Sequence, residues 1–289
     1  MMANTERVIK MKPHLHCVEG GVGKHLQFTS LFKKIIEKYK MKLAINSAYP
    51  EIFTNCTEVA DSKYRCDEPL FSNNYNYFSK YDKIFFHDPY KSNFLKGGTS
   101  VVKNWADLYE VEVDDIRPCF EINTKREKIL LPYIQKINNF VLLQFTGGQA
   151  ALTNTYDYNN HGRNYKYGQE LIDNLREQFP SFLFFVFGHS NEKEEFIGET
   201  KFNDENGFPL FQTREDVMIL SKYCKFFITI DSALHHMGSN QHFNKKGIVL
   251  WGTTEPERYG YKENINLQSE YPNCVEIPVK QIMDEINKI

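Results

Sequence analysis

The chain has 289 residues, enough for one large or two mid-sized domains, and its 41% hydrophobic and 25% charged residues are ordinary for a globular protein. A formal net charge of −2 supplies no global positive field for nucleic acid or an anionic membrane, although a local basic patch escapes such a count. No apolar run reaches the ~18 residues of a spanning helix, and the opening MMANTERVIKMKPH holds no apolar signal core, so a cytoplasmic location is expected.

In chain order, a first strand is predicted near residues 13–18, followed by a glycine turn, Glu19-Gly20-Gly21-Val22-Gly23. A helix over about 25–40 follows, with Leu26, Leu31, Ile35 and Ile36 on an imperfect apolar face. Residues 42–46 and 81–86 read as strands, the second ending in His87-Asp88-Pro89-Tyr90. Residues 53–77 are polar and weakly patterned, consistent with loops and short strands. Gly97-Gly98-Thr99 precedes a helix to about Tyr109, capped by Thr99 or Ser100. Residues 125–136 have a helical pattern, which Pro132 is expected to kink or end.

A domain boundary is expected near Asn138, dividing the chain into 1–138 and 139–289, because the same grammar then restarts. A strand over 140–145 ends in Thr146-Gly147-Gly148, and a long polar loop runs to about Asn164. A helix over 165–178, a wholly apolar strand over 182–187 and a helix over 213–223 follow, the last capped by Thr213 with Asp216 three residues on. A strand over 226–230 then meets Asp231-Ser232, a good cap for a short helix to about Asn240. The strand over 247–251 stops at Gly252-Thr253-Thr254, and a last helix over 281–289 closes the chain, with a fold-back across the boundary left open. Two strand–helix series with Gly-rich turns at the strand ends predict two parallel-sheet α/β domains and a cleft between them.

Several of these turns could carry chemistry. Glycines in Thr146-Gly147-Gly148 allow backbone N–H groups to form an anion nest, or they make an ordinary turn. A helix starting at Ser232 offers free N–H groups and a positive dipole end. Arg163, just before a helix, is slightly unfavourable there unless an anion partners it. His14 and His16 share a strand face while Cys17 points away, so packing explains them better than a metal does. His235 and His236 are adjacent, point about 100° apart on a helix, and lack the i, i+4 spacing that chelates one ion. The six cysteines lack a CxxC pair and read as reduced thiols. The 15% aromatic share suits stacking on sugars, and an AT-rich coding sequence gives the same excess.

The C-terminal stretch resembles the signature of glycosyltransferase family 9, the heptosyltransferases of lipopolysaccharide core synthesis. That signature runs D-S/T-G-x-x-H, then a strand into F-G-x-T-x-P. The matching residues are Asp231, Ser232, Ala233 in place of Gly, Leu234, His235 and His236, then Trp251, Gly252, Thr253, Thr254, Glu255 and Pro256. The resemblance spans most of the chain and is strong only in the C-terminal half. It implies a GT-B-type fold of two Rossmann-like domains. It further implies inverting, metal-independent transfer from a nucleotide-diphosphate sugar, ADP-heptose-like, to a hydroxyl acceptor that is a glycan, lipid-linked or of another kind.

Carried over by position, the resemblance places Thr146, Gly147, Gly148, Arg163, Asp231, Ser232, Ala233, His236 and Glu255 around the donor. Arg163 stands where the family usually has the Lys of Lys-x-Trp, which binds the diphosphate. No cofactor is implied beyond the nucleotide sugar as co-substrate. Gly20, Gly21 and Gly23 match the family's glycine turn, G-x-G-D, but Lys24 replaces the proposed catalytic Asp. A protonated Lys takes no proton from a hydroxyl, so Gly21, Gly23 and Lys24 are assigned to the acceptor and Glu19 or Asp88 to the base. The same departure motivates one alternative, a catalytically silent nucleotide-sugar or glycan-binding protein; a third reading is a transferase acting on modified nucleic-acid bases, which the net charge of −2 disfavours.

Overall fold

The computed structural model describes residues 13–64, 78–90, 99–147, 163–188, 213–271 and 274–289. Gly97, Gly98, Gly148, most of the polar loop before Asn164 and part of the 53–77 stretch lie outside the described residues.

The chain forms two parallel sheets. The first contains β1 (His14–Val18), β2 (Leu43–Ser47), β3 (Val59–Tyr64) and β4 (Lys83–Phe85) in the order β3-β2-β1-β4. The second contains β5 (Phe140–Gln144), β6 (Leu183–Val186), β7 (Phe227–Ile230), β8 (Gly247–Trp251) and β9 (Ile265–Gln268) in the order β6-β5-β7-β8-β9. Strands such as FITI and GIVLW are buried along their whole length, because helices cover both faces of a parallel sheet and leave no solvent side to alternate with. The expected two-sheet α/β architecture is therefore present. β9 was not anticipated, and β3 lies in the stretch whose pattern was too weak to place.

The long helix expected over 25–40 is broken into α1 (Val22–Phe28), a 3-10 turn (Thr29–Leu31) and α2 (Phe32–Tyr39). The hydroxyls of Thr29 and Ser30 donate to the carbonyls of Leu26 and Gln27 at 2.6 and 2.7 Å, and such back-bonding competes with the helical ladder. Ser100, not Thr99, caps α3 (Val101–Tyr109). Pro132 does not end α4, which spans Thr124–Ile137. Pro132 and Lys128 both face solvent, so water can serve the Lys128 carbonyl that a proline cannot.

In the second half α5 (Gly168–Gln178), α6 (Arg214–Tyr223), α7 (Ala233–Gly238), α8 (Pro256–Tyr259) and α9 (Val279–Ile286) follow. The capping box of Thr213 and Asp216 on α6 is formed in both directions. Leu130, Ile134 and Ile137 of α4 pack with Phe140, Leu142, Phe227 and Trp251 of the second sheet. The last helix does not fold back on the first sheet: Val279, Ile282 and Ile286 join the core of the second with Leu171 and Leu175 of α5. The two halves share a core of their own, in which Met218, Met237 and Phe243 pack among Leu26, Phe28 and Phe120. Among the described residues, no helix is long and apolar enough to cross a membrane.

Candidate active site

Strand order locates the site. Neighbouring strands lead away in opposite directions between β1 and β4 in one sheet, and between β5 and β7 in the other. Ligands of open parallel sheets bind at such switch points, beyond the carboxyl ends of the strands. The residues there are Glu19–Lys24 and Phe86–Tyr90 in the first half, and Phe145–Gly147 and Asp231–Ser232 in the second. These are the turns singled out from the sequence.

In the first half Gly20 adopts φ +98°, a conformation that favours glycine. It turns the chain into α1, where the Gly21 carbonyl accepts from the Lys24 N–H at 3.1 Å. His25, which the sequence reading passed over, braces this turn: its ring nitrogens lie 2.9 and 3.0 Å from the carbonyls of Gly21 and Val18. Lys24 is nearly buried at 11% exposure, and its Nζ donates to Asp88 Oδ1 at 3.2 Å. The ammonium lies over the rings of Tyr90 and Trp105, 4.9 and 5.6 Å from their centres. α3 fixes the Asp88 loop from both sides: Asn104 donates to the Pro89 carbonyl, and Trp105 Nε1 donates to that of His87 at 3.1 Å. The Tyr90 N–H reaches Asp88 Oδ1 at 3.1 Å. Lys24 and Asp88 are thus brought together, while Glu19 is exposed at the start of the turn.

In the second half Arg163 and Asp231 meet. Arg163 Nε and one Nη donate to the Asp231 carbonyl at 3.0 and 2.6 Å, and Nε lies 3.6 Å from Asp231 Oδ2. Tyr90 of the first half lies within electrostatic reach of Tyr259 and Asp231 of the second. Burial first, then the nearby Tyr259 and Asp231, push its hydroxyl well above the ordinary tyrosine range.

Other expectations change. The Gly147 N–H does not await an anion; it donates to Asn164 Oδ1 at 3.3 Å. Ser232 holds the N-cap position of α7, but its hydroxyl donates to Gln144 Oε1 at 2.7 Å and makes no cap. Gln144 caps instead, accepting from the Leu234 N–H at 3.2 Å. A helix of six residues whose first-turn N–H is partly spoken for is a poor anion site. Ala233 is half-buried at the start of α7. Glu255 caps α8 by position and pairs with Arg258 at 2.7 Å. His14 and His16 belong to an aromatic cluster, His16 stacking on Phe85 at 5.0 Å and bonding Tyr109 Oη at 2.8 Å.

His236 is buried at the contact between the halves. Its Nδ1 lies 2.7 Å from Tyr261 Oη, and burial pushes its pKa down to about 4. A Cβ on Gly23 would fall 2.5 Å from His236 Cδ2, so α1 approaches α7 only because residue 23 is glycine. His235 and His236 do not diverge as their adjacent positions suggest. Their ring centres are 4.6 Å apart, and Asp231, His235 and His236 each bring a ligand-type atom within 4.8 Å of the others. The 100° step fixes only the Cα–Cβ directions, and side-chain torsions bring the rings together.

No protein-family model matches the chain, and no curated protein matches it. Solved structures do match. ADP-heptose lipopolysaccharide heptosyltransferase II of E. coli aligns at 11% identity and TM-score 0.65, over 96% of this chain and 98% of that one. A family 9 glycosyl transferase from Veillonella parvula aligns at 11% identity and TM-score 0.69, over 96% of each chain. E. coli heptosyltransferase WaaC with ADP aligns at 12% identity and TM-score 0.64, over 96% of this chain and 99% of that one. The chain therefore has the two-domain fold of the family 9 glycosyltransferases, the family its C-terminal signature resembles.

Proposed function

We propose that the protein is a glycosyltransferase that moves a sugar from a nucleotide-diphosphate donor, ADP-heptose-like, to a hydroxyl acceptor with inversion. The observation that carries this reading is the juxtaposition at the two switch points: Lys24, Asp88 and Tyr90 from one sheet, beside Arg163 and Asp231 from the other. The fold supports it, since one structural neighbour was solved with ADP.

In the proposed reaction the acceptor hydroxyl attacks the anomeric carbon from the first half. Its oxygen forms the new glycosidic bond as a carboxylate, Asp88 or Glu19, takes its proton. The bond from the anomeric carbon to the diphosphate breaks, and the nucleoside diphosphate leaves with the electron pair. Arg163 meets the growing negative charge from a fixed position, while Lys24, paired with Asp88, stays on the acceptor side, so the transfer draws on positioning and electrostatics rather than on an ion at the diphosphate. Asp231 holds the Arg163 fork and faces the donor sugar. The boundary near residue 138 separates the acceptor side from the donor side. A silent binding protein remains the second reading, favoured by Lys24 at the position of the family's base.

Arg163→Ala tests the donor site. It should weaken binding of whichever nucleotide sugar stabilises the wild type by about 1.5–3 kcal/mol, roughly 10–150-fold, the worth of a charge-assisted contact. Titration calorimetry that gives equal affinity for both proteins would remove Arg163 from the site.

A further inference from the structure

His235 is fully buried, and among the described residues neither of its ring nitrogens has a hydrogen-bond partner. Its neighbours include two aromatic rings, Trp251 at 5.4 Å and Tyr261 at 4.8 Å between ring centres. A buried polar atom left unpaired costs about 1–3 kcal/mol, so an unpartnered imidazole at a fixed position calls for a ligand. Among the described residues, His236 and Asp231 each bring an atom that could share one within 4.8 Å.

From this convergence we infer that Asp231, His235 and His236 form a binding site for a divalent transition ion such as Zn²⁺. Two imidazoles and one carboxylate suit a borderline ion of that class rather than Mg²⁺ or Ca²⁺, which prefer all-oxygen shells. His236 is prepared for the role. Tyr261 Oη holds its Nδ1 at 2.7 Å, the outer partner that fixes the tautomer of a ligating histidine, and leaves Nε2 to the ion. Arg163 donates to the backbone carbonyl of Asp231 at 3.0 and 2.6 Å and only approaches its Oδ2 at 3.6 Å, so no hydrogen bond from Arg163 ties up the carboxylate. Ligand bonds of about 2.0–2.2 Å around a tetrahedral ion set ligand atoms roughly 3.4 Å apart. From a spread of up to 4.8 Å, Asp231 and His235 must therefore close on His236, which Tyr261 holds in place, a movement their side-chain torsions supply.

The ion's role is structural. It ties the end of β7 to α7, where α7 meets Gly23 of α1, and so fixes Asp231 from behind. It takes no part in the group transfer, and the inference rests on this geometry alone, independent of the transferase reading.

The test is a titration of chelator-stripped protein with Co²⁺ as spectroscopic probe, followed by displacement with Zn²⁺. The wild type is expected to take up about one equivalent with visible d–d absorption, and Zn²⁺ is expected to raise its melting temperature. His235→Asn and His236→Asn should abolish the absorption. Tyr261→Phe keeps all three ligands and removes only the supporting hydroxyl, so it should bind the ion about 10–100-fold more weakly. Should a histidine variant fail to fold by circular dichroism, Tyr261→Phe decides alone. No uptake by the wild type, or equal uptake by Tyr261→Phe and the folded histidine variants, would overturn the site. A protein that takes up the ion but binds no nucleotide sugar keeps the site and loses the transferase reading.

Discussion

Asp88→Asn is expected to lower turnover by about 10²–10⁴-fold, the contribution of a positioned general base, while nucleotide-sugar affinity stays near the wild-type value. Asp88 stands at the end of β4 in a loop that Asn104 and Trp105 pin in place, and its carboxylate is half-exposed, with Oδ1 on Lys24 Nζ and the Tyr90 N–H. An ordinary aspartate is ionised at neutral pH and so can accept a proton. The amide keeps the shape and loses that capacity. Loss of the Lys24 pair should cost little stability, since its acidic member is exposed. Glu19→Gln is the comparison: Glu19 begins the same glycine turn but is exposed there, whereas Asp88 pairs with Lys24, and the larger loss is expected for Asp88. Steady-state kinetics of the two amide variants decide. Full turnover in both would show that neither carboxylate is the base.

Gly23→Val is expected to cost about 3 kcal/mol of stability or more, as overpacking of a closed contact does. A Cβ alone would lie 2.5 Å from His236 Cδ2 and 2.8 Å from its Nε2. The ring cannot easily yield, because Tyr261 Oη holds its far side and the site is buried. Valine adds two more carbons to that clash. The strain should push α1 away from α7 and carry Lys24, the next residue, off Asp88. Denaturant titration should show a lower midpoint at an unchanged slope. A wild-type midpoint would mean that the two halves do not meet at this glycine.

The architecture was legible because its signal is local. Buried parallel strands are written as apolar runs, FVLLQ or GIVLW, and their ends as glycine or Asp-Ser turns. The box of Thr213 and Asp216 needs only three residues of separation, and it formed as read. β9 escaped because its INLQ sequence carries two polar side chains. The structure employs both: Asn266 accepts from Trp251 Nε1 at 2.9 Å, and Gln268 donates to the Gly252 carbonyl at 2.8 Å.

The site was legible as a set of turns, but not as a set of partners. Lys24 and Asp88 are 64 residues apart in sequence, and Gln144 caps a helix 90 residues downstream. Such pairings come from strand order, which no local pattern encodes. The same holds for Asn164 taking the Gly147 N–H that the sequence offered to a phosphate. The pairing of His235 with His236 was misread for a different reason: helical geometry sets where side chains start, not where their rings end.

The central claim is that the two switch points together hold and use a nucleotide-diphosphate sugar. The most direct measurement is a thermal-shift screen of the wild type against a panel of nucleotide-diphosphate sugars, with release of nucleoside diphosphate followed for every compound that binds. At least one donor should raise the melting temperature, since a ligand at 100 times its dissociation constant stabilises by about 2.7 kcal/mol, and that donor should be consumed with release of its nucleoside diphosphate. No shift with any nucleotide sugar would contradict the account, and a shift without turnover in the presence of hydroxyl acceptors would leave a binding protein in place of the transferase.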